Sequence, residues 1–224
     1  NRVLDLKFDA LNPRTKDRPL VTGAIKVSEA WIFIAACALI FVLACWAMNW
    51  ICLVLAPFAL VWSAVYSLFK RWTWLCHFAL GSVLGLAPLA GFVSTGYIFT
   101  QPVFLLFFGV TFWVAGFDLL YACQDVDFDR EQGLKSIPAV FGIPTALALS
   151  AFCHVNTAIF FLMAGWAAWL SWPYYVVWAV VSAILVWEHT LISAEDMSRA
   201  NLAFFTLNGV IAVVFFGGVL WSFA

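Results

Sequence analysis

Apolar residues occupy this chain in runs of roughly 17 to 25, the length a helix needs to cross the hydrocarbon of a bilayer. Whole spans are predicted at about Val27–Met48, Ile51–Phe69, Trp74–Val93, Pro102–Ala122, Pro144–Leu170, Tyr174–Trp187 and Leu202–Phe223. The end of an earlier helix is predicted over residues 1–9. Polar residues fall almost entirely into the short connections between these runs. The fold class expected is therefore an all-α membrane protein, a multi-span helical bundle around a central cavity, with residues 1–224 forming one transmembrane domain.

The connections differ in charge. The loop at 10–26, Lys70–Thr73, Cys123–Ile143 and Thr190–Asn201 alternate with Asn49–Trp50, the turn near Gly96–Gln101 and the turn near Ser171–Pro173. Every Lys and Arg lies on or beside the first set, and the second set has none. The positive-inside rule then predicts a multi-pass protein whose polar motifs face the cytoplasm, as in a bacterial inner membrane.

Composition agrees with that pattern. The 224 residues are 65% hydrophobic and 10% charged, against about 25% charged in ordinary globular chains. The net charge of −1 arises from basic residues set beside acidic ones and gives no sign of nucleic-acid binding. Most of the thirteen Trp lie near span ends, as an interfacial belt requires. Trp113 and Trp166 are placed deeper, where packing or a tunnel would use them. The six Cys show no CxxC and read as small hydrophobes.

Two acidic clusters carry the candidate chemistry. In QDVDFDREQGLKS, from Gln124, Asp125 and Asp129 are four residues apart. On a continuous helix they differ by about 40° around the axis and about 6 Å along it. Two carboxylates that close suit a shared cation such as magnesium, or else form a solvated acidic helix end. Asn1, Asp5 and Asp9 repeat the spacing ahead of a basic loop, NPRTKDRPL from Asn12. Two acidic clusters, each followed by Lys and Arg, suit a metal–diphosphate site. Asp118 lies seven residues before Asp125, on the same face and about 10 Å deeper. A charge there costs about 2.5–3.5 kcal/mol on insertion scales, so it is expected to face a cavity.

Three stretches, NRVLDLKFDALNPRTKDRPL from Asn1, YSLFKRWT from Tyr66 and FDLLYACQDVDFDREQGLKSIPAVFG from Phe117, resemble the UbiA superfamily of intramembrane aromatic prenyltransferases. The resemblance covers essentially the whole chain, and CHFALGSVLGLAP from Cys76 and AGFDLLYACQDVDFDREQGLKSIP from Ala115 are most similar to its 4-hydroxybenzoate polyprenyltransferase-like branch. Part of that branch acts in the futalosine route to menaquinone.

The resemblance implies a magnesium-dependent enzyme joining a polyprenyl diphosphate to an aromatic acceptor in quinone biosynthesis. Asn1, Asp5 and Asp9 would hold one metal, and Asp125 and Asp129 the other. Arg18, Tyr66, Lys70, Arg71, Arg130 and Lys135 become candidates for the diphosphate. Asp118 would orient the acceptor or take its proton, with Asp125 and Asp129 as the other catalytic carboxylates. The family pattern also places about one and a half helices ahead of Asn1, so the seven spans are expected to be part of about nine.

Remaining polar residues admit quieter readings. His77 either starts a span or lines the site, His154 satisfies a hydrogen bond inside one, and Glu188 and His189 read as solvated at a span end. Asn208 reads as helix glue, and Gly81, Gly85 and Pro88 as a small-residue packing face. Gly23 and Gly133 either make turns or admit backbone near phosphate. The rival function is a cation-coupled transporter using the intramembrane carboxylates. Charges confined to one face argue against it.

Overall fold

A computed structural model describes residues 1–197, 199–200 and 202–223, so Ser198 and Asn201 of the expected 190–201 connection lie outside the described residues. The elements in order are α1 (Leu6–Asp9), α2 (Val27–Met48), α3 (Trp50–Val65), a 3₁₀ turn (Tyr66–Leu68), α4 (Phe69–Trp72), α5 (Cys76–Ser94) and α6 (Gln101–Ala122). A second 3₁₀ turn (Cys123–Asp125) follows, then α7 (Val126–Glu131), α8 (Ile137–Phe141), α9 (Ile143–Ala167), α10 (Trp172–Thr190), a π-helical stretch (Leu202–Leu207) and α11 (Asn208–Trp221). No strand occurs among the described residues.

Five helical stretches are long and apolar enough to span a membrane: Val27–Met48, Trp50–Trp72, Cys76–Ser94, Gln101–Glu131 and Ile143–Ala167. Seven were expected. α10 and the Leu202–Trp221 segment form as helices at the remaining two places. α10 is less apolar than the others because Trp, Pro and Tyr open it and Glu188 and His189 close it. The final α-helix proper has only 14 residues after its π-helical start. The whole is an integral, multi-pass helical membrane bundle.

Local chemistry sets the helix starts. α6, α8, α9 and α10 each carry Pro in the first turn, where a missing N–H costs nothing. The side chain of Asn49 caps α3 by accepting from Cys52 N at 2.9 Å. α2 is apolar on all sides and almost wholly exposed, with Ile32 and Phe33 each 70% accessible, as a lipid-facing helix would be. Trp166 also faces outward and not into the bundle.

α6 is the central helix, packed between α5 and α9. Gly81 and Gly85 of α5 make one contact possible: a Cβ at Gly81 would strike the Thr111 carbonyl, and one at Gly85 would meet Thr111 Oγ1 and Phe107 O. On the α9 side, Ala115, Leu119, Cys123, Ile137, Ala146 and Cys153 form a closed core. An apolar space of about 860 Å³ lies among α2, α3 and α5, away from the charged loops.

Glu188 corrects the sequence reading. It is fully buried, not solvated, because α9 and α11 close over the end of α10. Asn208 Nδ2 reaches Glu188 Oε1 at 3.5 Å, and His154 Nδ1 lies 3.7 Å from Oε2. His154 and His189 share a 2.9 Å hydrogen bond, and Gly116 leaves room for the His154 ring. Trp113 donates to Asn208 Oδ1 at 2.7 Å.

Candidate active site

The first acidic cluster sits on a helical turn rather than on a long helix. Asp5 N donates to Asn1 O at 2.9 Å and Asp9 N to Asp5 O at 2.8 Å, so the three side chains follow one face through α1. The next loop folds back on itself. Asn12 Oδ1 accepts from Arg14 N at 2.9 Å, and Thr15 Oγ1 donates to Asp9 O at 3.0 Å. Asn followed by Pro is a turn former, and here the turn aims Arg14 at the second cluster.

That cluster is carried by the end of α6. The helix passes through the 3₁₀ turn at Cys123–Asp125 before α7 begins, so the continuous helix assumed from spacing is broken. Asp125 and Asp129 nonetheless bracket one turn of α7 and are both buried, while Asp127 between them is exposed. Gly133, with φ +67°, reverses the chain after α7. Leu134 N then returns to Asp129 O at 2.8 Å and Lys135 N to Lys70 O at 2.7 Å. This reversal holds Lys70 against Asp129.

The four carboxylates of the two clusters each have a Lys or Arg partner. Asp5 pairs with Arg71 at 3.0 Å, Asp9 with Arg18 at 2.6 Å, and Asp129 with Lys70 at 2.8 Å. Arg14 grips both oxygens of Asp125, with Nε at 3.0 Å from Oδ1 and Nη2 on Oδ2. Asn12 Nδ2 adds a bond to Asp125 Oδ1 at 3.1 Å. Burial acts to lower the Arg14 pKa, but the bonds and charge of Asp125 outweigh it and hold the guanidinium above its ordinary value. Arg14 also donates to Tyr121 Oη at 2.8 Å and packs 4.9 Å from that ring's centre.

These groups surround a cavity of about 240 Å³. Of the residues singled out from the sequence, Asn1, Asp5, Asp9, Arg18, Tyr66, Lys70, Arg71, Asp118, Asp125 and Asp129 all line it. Arg130 and Lys135 do not line it. Arg130 Nε donates to Ala139 O at 3.0 Å and Lys135 Nζ to Trp72 O at 3.2 Å, so both tie loops together. Asp118 lies deeper, bonded through Oδ2 to His77 Nδ1 at 2.7 Å. Phe8, Leu80, Ala122, Phe128 and Leu134 supply an apolar part of the wall.

Sequence reasoning left out Asn12, Arg14, Tyr121 and Ser136. The Asn-Pro turn was a usable signal for the first two. Ser136, fully buried and donating to Asp129 Oδ2 at 2.5 Å, had none, because its position depends on the Gly133 reversal.

Among the described residues, no three His, Cys, Asp or Glu side chains converge closely enough to hold an ion by themselves. The donor set is nevertheless one that magnesium accepts. It takes one or two carboxylates and completes its shell with water and substrate phosphate. The Asp5–Asp9 and Asp125–Asp129 pairs supply those oxygens in the wall of the cavity.

Comparison with known proteins places this arrangement. The profile of the UbiA prenyltransferase family matches residues 1–210. A 4-hydroxybenzoate octaprenyltransferase of Citrobacter koseri is 32% identical over 220 residues, covering 97% of this chain and 75% of that protein. The enzyme of the same name from Salmonella paratyphi B is 32% identical over 228 residues, covering 100% of this chain and 77% of that one. The apo structure of a UbiA homolog from Aeropyrum pernix K1 superimposes with a TM-score of 0.91 at 32% identity, covering 100% of this chain and 82% of that one. A digeranylgeranylglyceryl phosphate synthase structure shares the fold, with a TM-score of 0.71 at 20% identity over 97% of this chain and 78% of that one.

Proposed function

Because the chain belongs to the UbiA prenyltransferase family, we propose that it joins a polyprenyl chain, from its diphosphate, to a 4-hydroxybenzoate-like aromatic acceptor in quinone biosynthesis. One observation carries this reading. Two carboxylate pairs, each matched by Lys or Arg, line one cavity together with a fifth aspartate, Asp118, set deeper along α6. A transporter would need charge along a path to the other face, where the connections carry none. We place the site at the cytoplasmic face of a bacterial inner membrane, on the one-sided distribution of Lys and Arg.

The residues divide the work. Asp5 and Asp9 with Asn1, and Asp125 with Asp129, would hold magnesium, which when bound neutralises the charge of the leaving diphosphate. Arg14, Arg18, Lys70 and Arg71 are already paired with these carboxylates and lie within the same cavity. They are therefore placed to take phosphate oxygens. As the allylic C–O bond breaks, its electron pair leaves with the diphosphate, whose growing charge these cations stabilise. The aromatic ring then forms the new C–C bond, and the proton of the attacked carbon passes to Asp118 or to the released diphosphate. Asp118, beneath the mouth, accepts a hydrogen bond from the acceptor and orients it. The apolar wall limits water, which would otherwise quench the allylic cation.

The test is turnover by the purified membrane protein with a polyprenyl diphosphate, 4-hydroxybenzoate and magnesium. A prenylated aromatic acid should form, and chelation should stop it. Failure with 4-hydroxybenzoate but transfer to another aromatic acid would revise the acceptor. No transfer to any aromatic acid would overturn the reading.

A further inference from the structure

His77 is 2% exposed and makes two bonds with opposite demands. Its Nε2 faces the backbone N–H of Ile137 at 3.2 Å, which can only donate. Nε2 must therefore accept, and the ring proton lies on Nδ1. That nitrogen faces Asp118 Oδ2 at 2.7 Å, so the ring donates to the carboxylate. One oxygen of Asp118 is thereby fixed, and the side chain remains about a quarter exposed at the cavity wall.

The other bond leads back to the mouth of the site. Ile137 follows Ser136 directly, and Ser136 Oγ donates to Asp129 Oδ2 at 2.5 Å. Both residues are essentially buried. A continuous path thus runs from Asp129, through Ser136 and the Ile137 amide, to His77 and Asp118. It joins a carboxylate at the diphosphate end to the one at the acceptor end. No other described side chain bonds both to Asp118 and to the segment after α7.

We propose that His77 is a positioning residue: as a neutral Nδ1–H donor it fixes the Asp118 carboxylate to receive the aromatic acceptor, and through Ile137 it sets that carboxylate relative to Asp129. This rests on the acceptor role given to Asp118 above. His77 touches neither substrate, and its effect is exerted through Asp118.

Two substitutions divide the bonds. His77→Asn places an amide N–H near the site of Nδ1 and loses the acceptor for Ile137. His77→Gln places a carbonyl near the site of Nε2 and loses the donor to Asp118. Steady-state transfer should show His77→Gln lowering kcat or raising acceptor KM by roughly 10- to 100-fold, the loss expected for one bond to a charged group. Its KM for the prenyl diphosphate should stay at the parent's value. His77→Asn should retain kcat and acceptor KM within about threefold, the scatter allowed to a rescued bond, and show its deficit in thermal stability. In an Asp118→Asn background, His77→Gln should cost nothing further.

Equal losses in both variants, tracking lost stability, would make His77 a structural residue and overturn the proposal. So would parent-like kinetics in His77→Gln. If His77→Gln does not fold, a loss of kcat or a rise in acceptor KM beyond threefold in His77→Asn alone overturns it. The two readings separate through Asp118→Asn. Should that variant keep the parent's acceptor KM and kcat, the acceptor role of Asp118 fails, and the role of His77 with it. Should it lose them while His77→Gln does not, only the present inference fails.

Discussion

Asp125 and Asp127 are two residues apart and see different surroundings. Asp125 is buried under Arg14 and Asn12, while Asp127 is exposed on the far side of α7. Asp125→Asn should lower transfer by about 10²–10³-fold, the cost of losing one preorganised electrostatic group at a transition state. Asp127→Asn should stay near the parent rate. Equal losses would remove the one-face arrangement from the argument. The same assay compares Lys70→Met with Lys135→Met: Lys70, on Asp129, should be essential, and Lys135, on Trp72 O, should act only through loop stability. At this scale the carboxylates were legible, because helical spacing survives one 3₁₀ turn. The cations were legible in part: Arg18, Lys70 and Arg71 do line the cavity, whereas the long side chains of Arg14, Arg130 and Lys135 choose partners only after the loops have folded.

The helices depend on contacts that sequence shows only in part. Gly81 and Gly85 were readable as a packing face, and the Thr111 carbonyl against Gly81 gives the reason. Gly81→Ala should destabilise by about 1–3 kcal/mol through overpacking between α5 and α6. Gly91→Ala on the same helix meets nothing within 4 Å and should be neutral or slightly stabilising. Thermal denaturation in detergent checks both. Glu188 shows what spacing missed. Its place near the end of α10 suggested water, but α9 and α11 cover it, which no local pattern encodes. Its Oε2 has no hydrogen-bond partner among the described residues. Glu188→Gln should therefore match or exceed the parent's stability, because a neutral amide fills the same space and cannot incur the cost of ionising a buried group with weak partners. Glu188→Ala should fall below it by leaving a void beside His154 and Asn208. A large loss in the Gln variant would mean that the carboxyl itself is required.

For the whole molecule, the alternation of charged and uncharged connections foretold the two ends of the bundle, and tertiary bonds gather each end separately. Asn49 Nδ2 donates to Val93 O at 2.9 Å, and Ser171 Oγ donates to Ser222 O at 2.8 Å. Both bonds join connections of the uncharged set or elements ending there. On the charged side, Arg71 Nη2 donates to Leu4 O at 2.7 Å and Lys135 N to Lys70 O at 2.7 Å. No bond in this group crosses from one set to the other. Membrane sidedness follows if the positive-inside rule applies to the bundle as a unit. With the native Cys replaced, Trp50→Cys, Tyr97→Cys and Trp172→Cys use exposed positions at the uncharged end. Lys16→Cys and Glu131→Cys use exposed positions at the other. An impermeant thiol reagent should label the first three in intact cells and the last two only after the membrane is opened. Labelling of Lys16→Cys in intact cells would invert the topology and move the diphosphate site to the outer face. Mixed labelling within either set would break the bundle's two-ended order, and the site's placement would then need each loop to be located on its own.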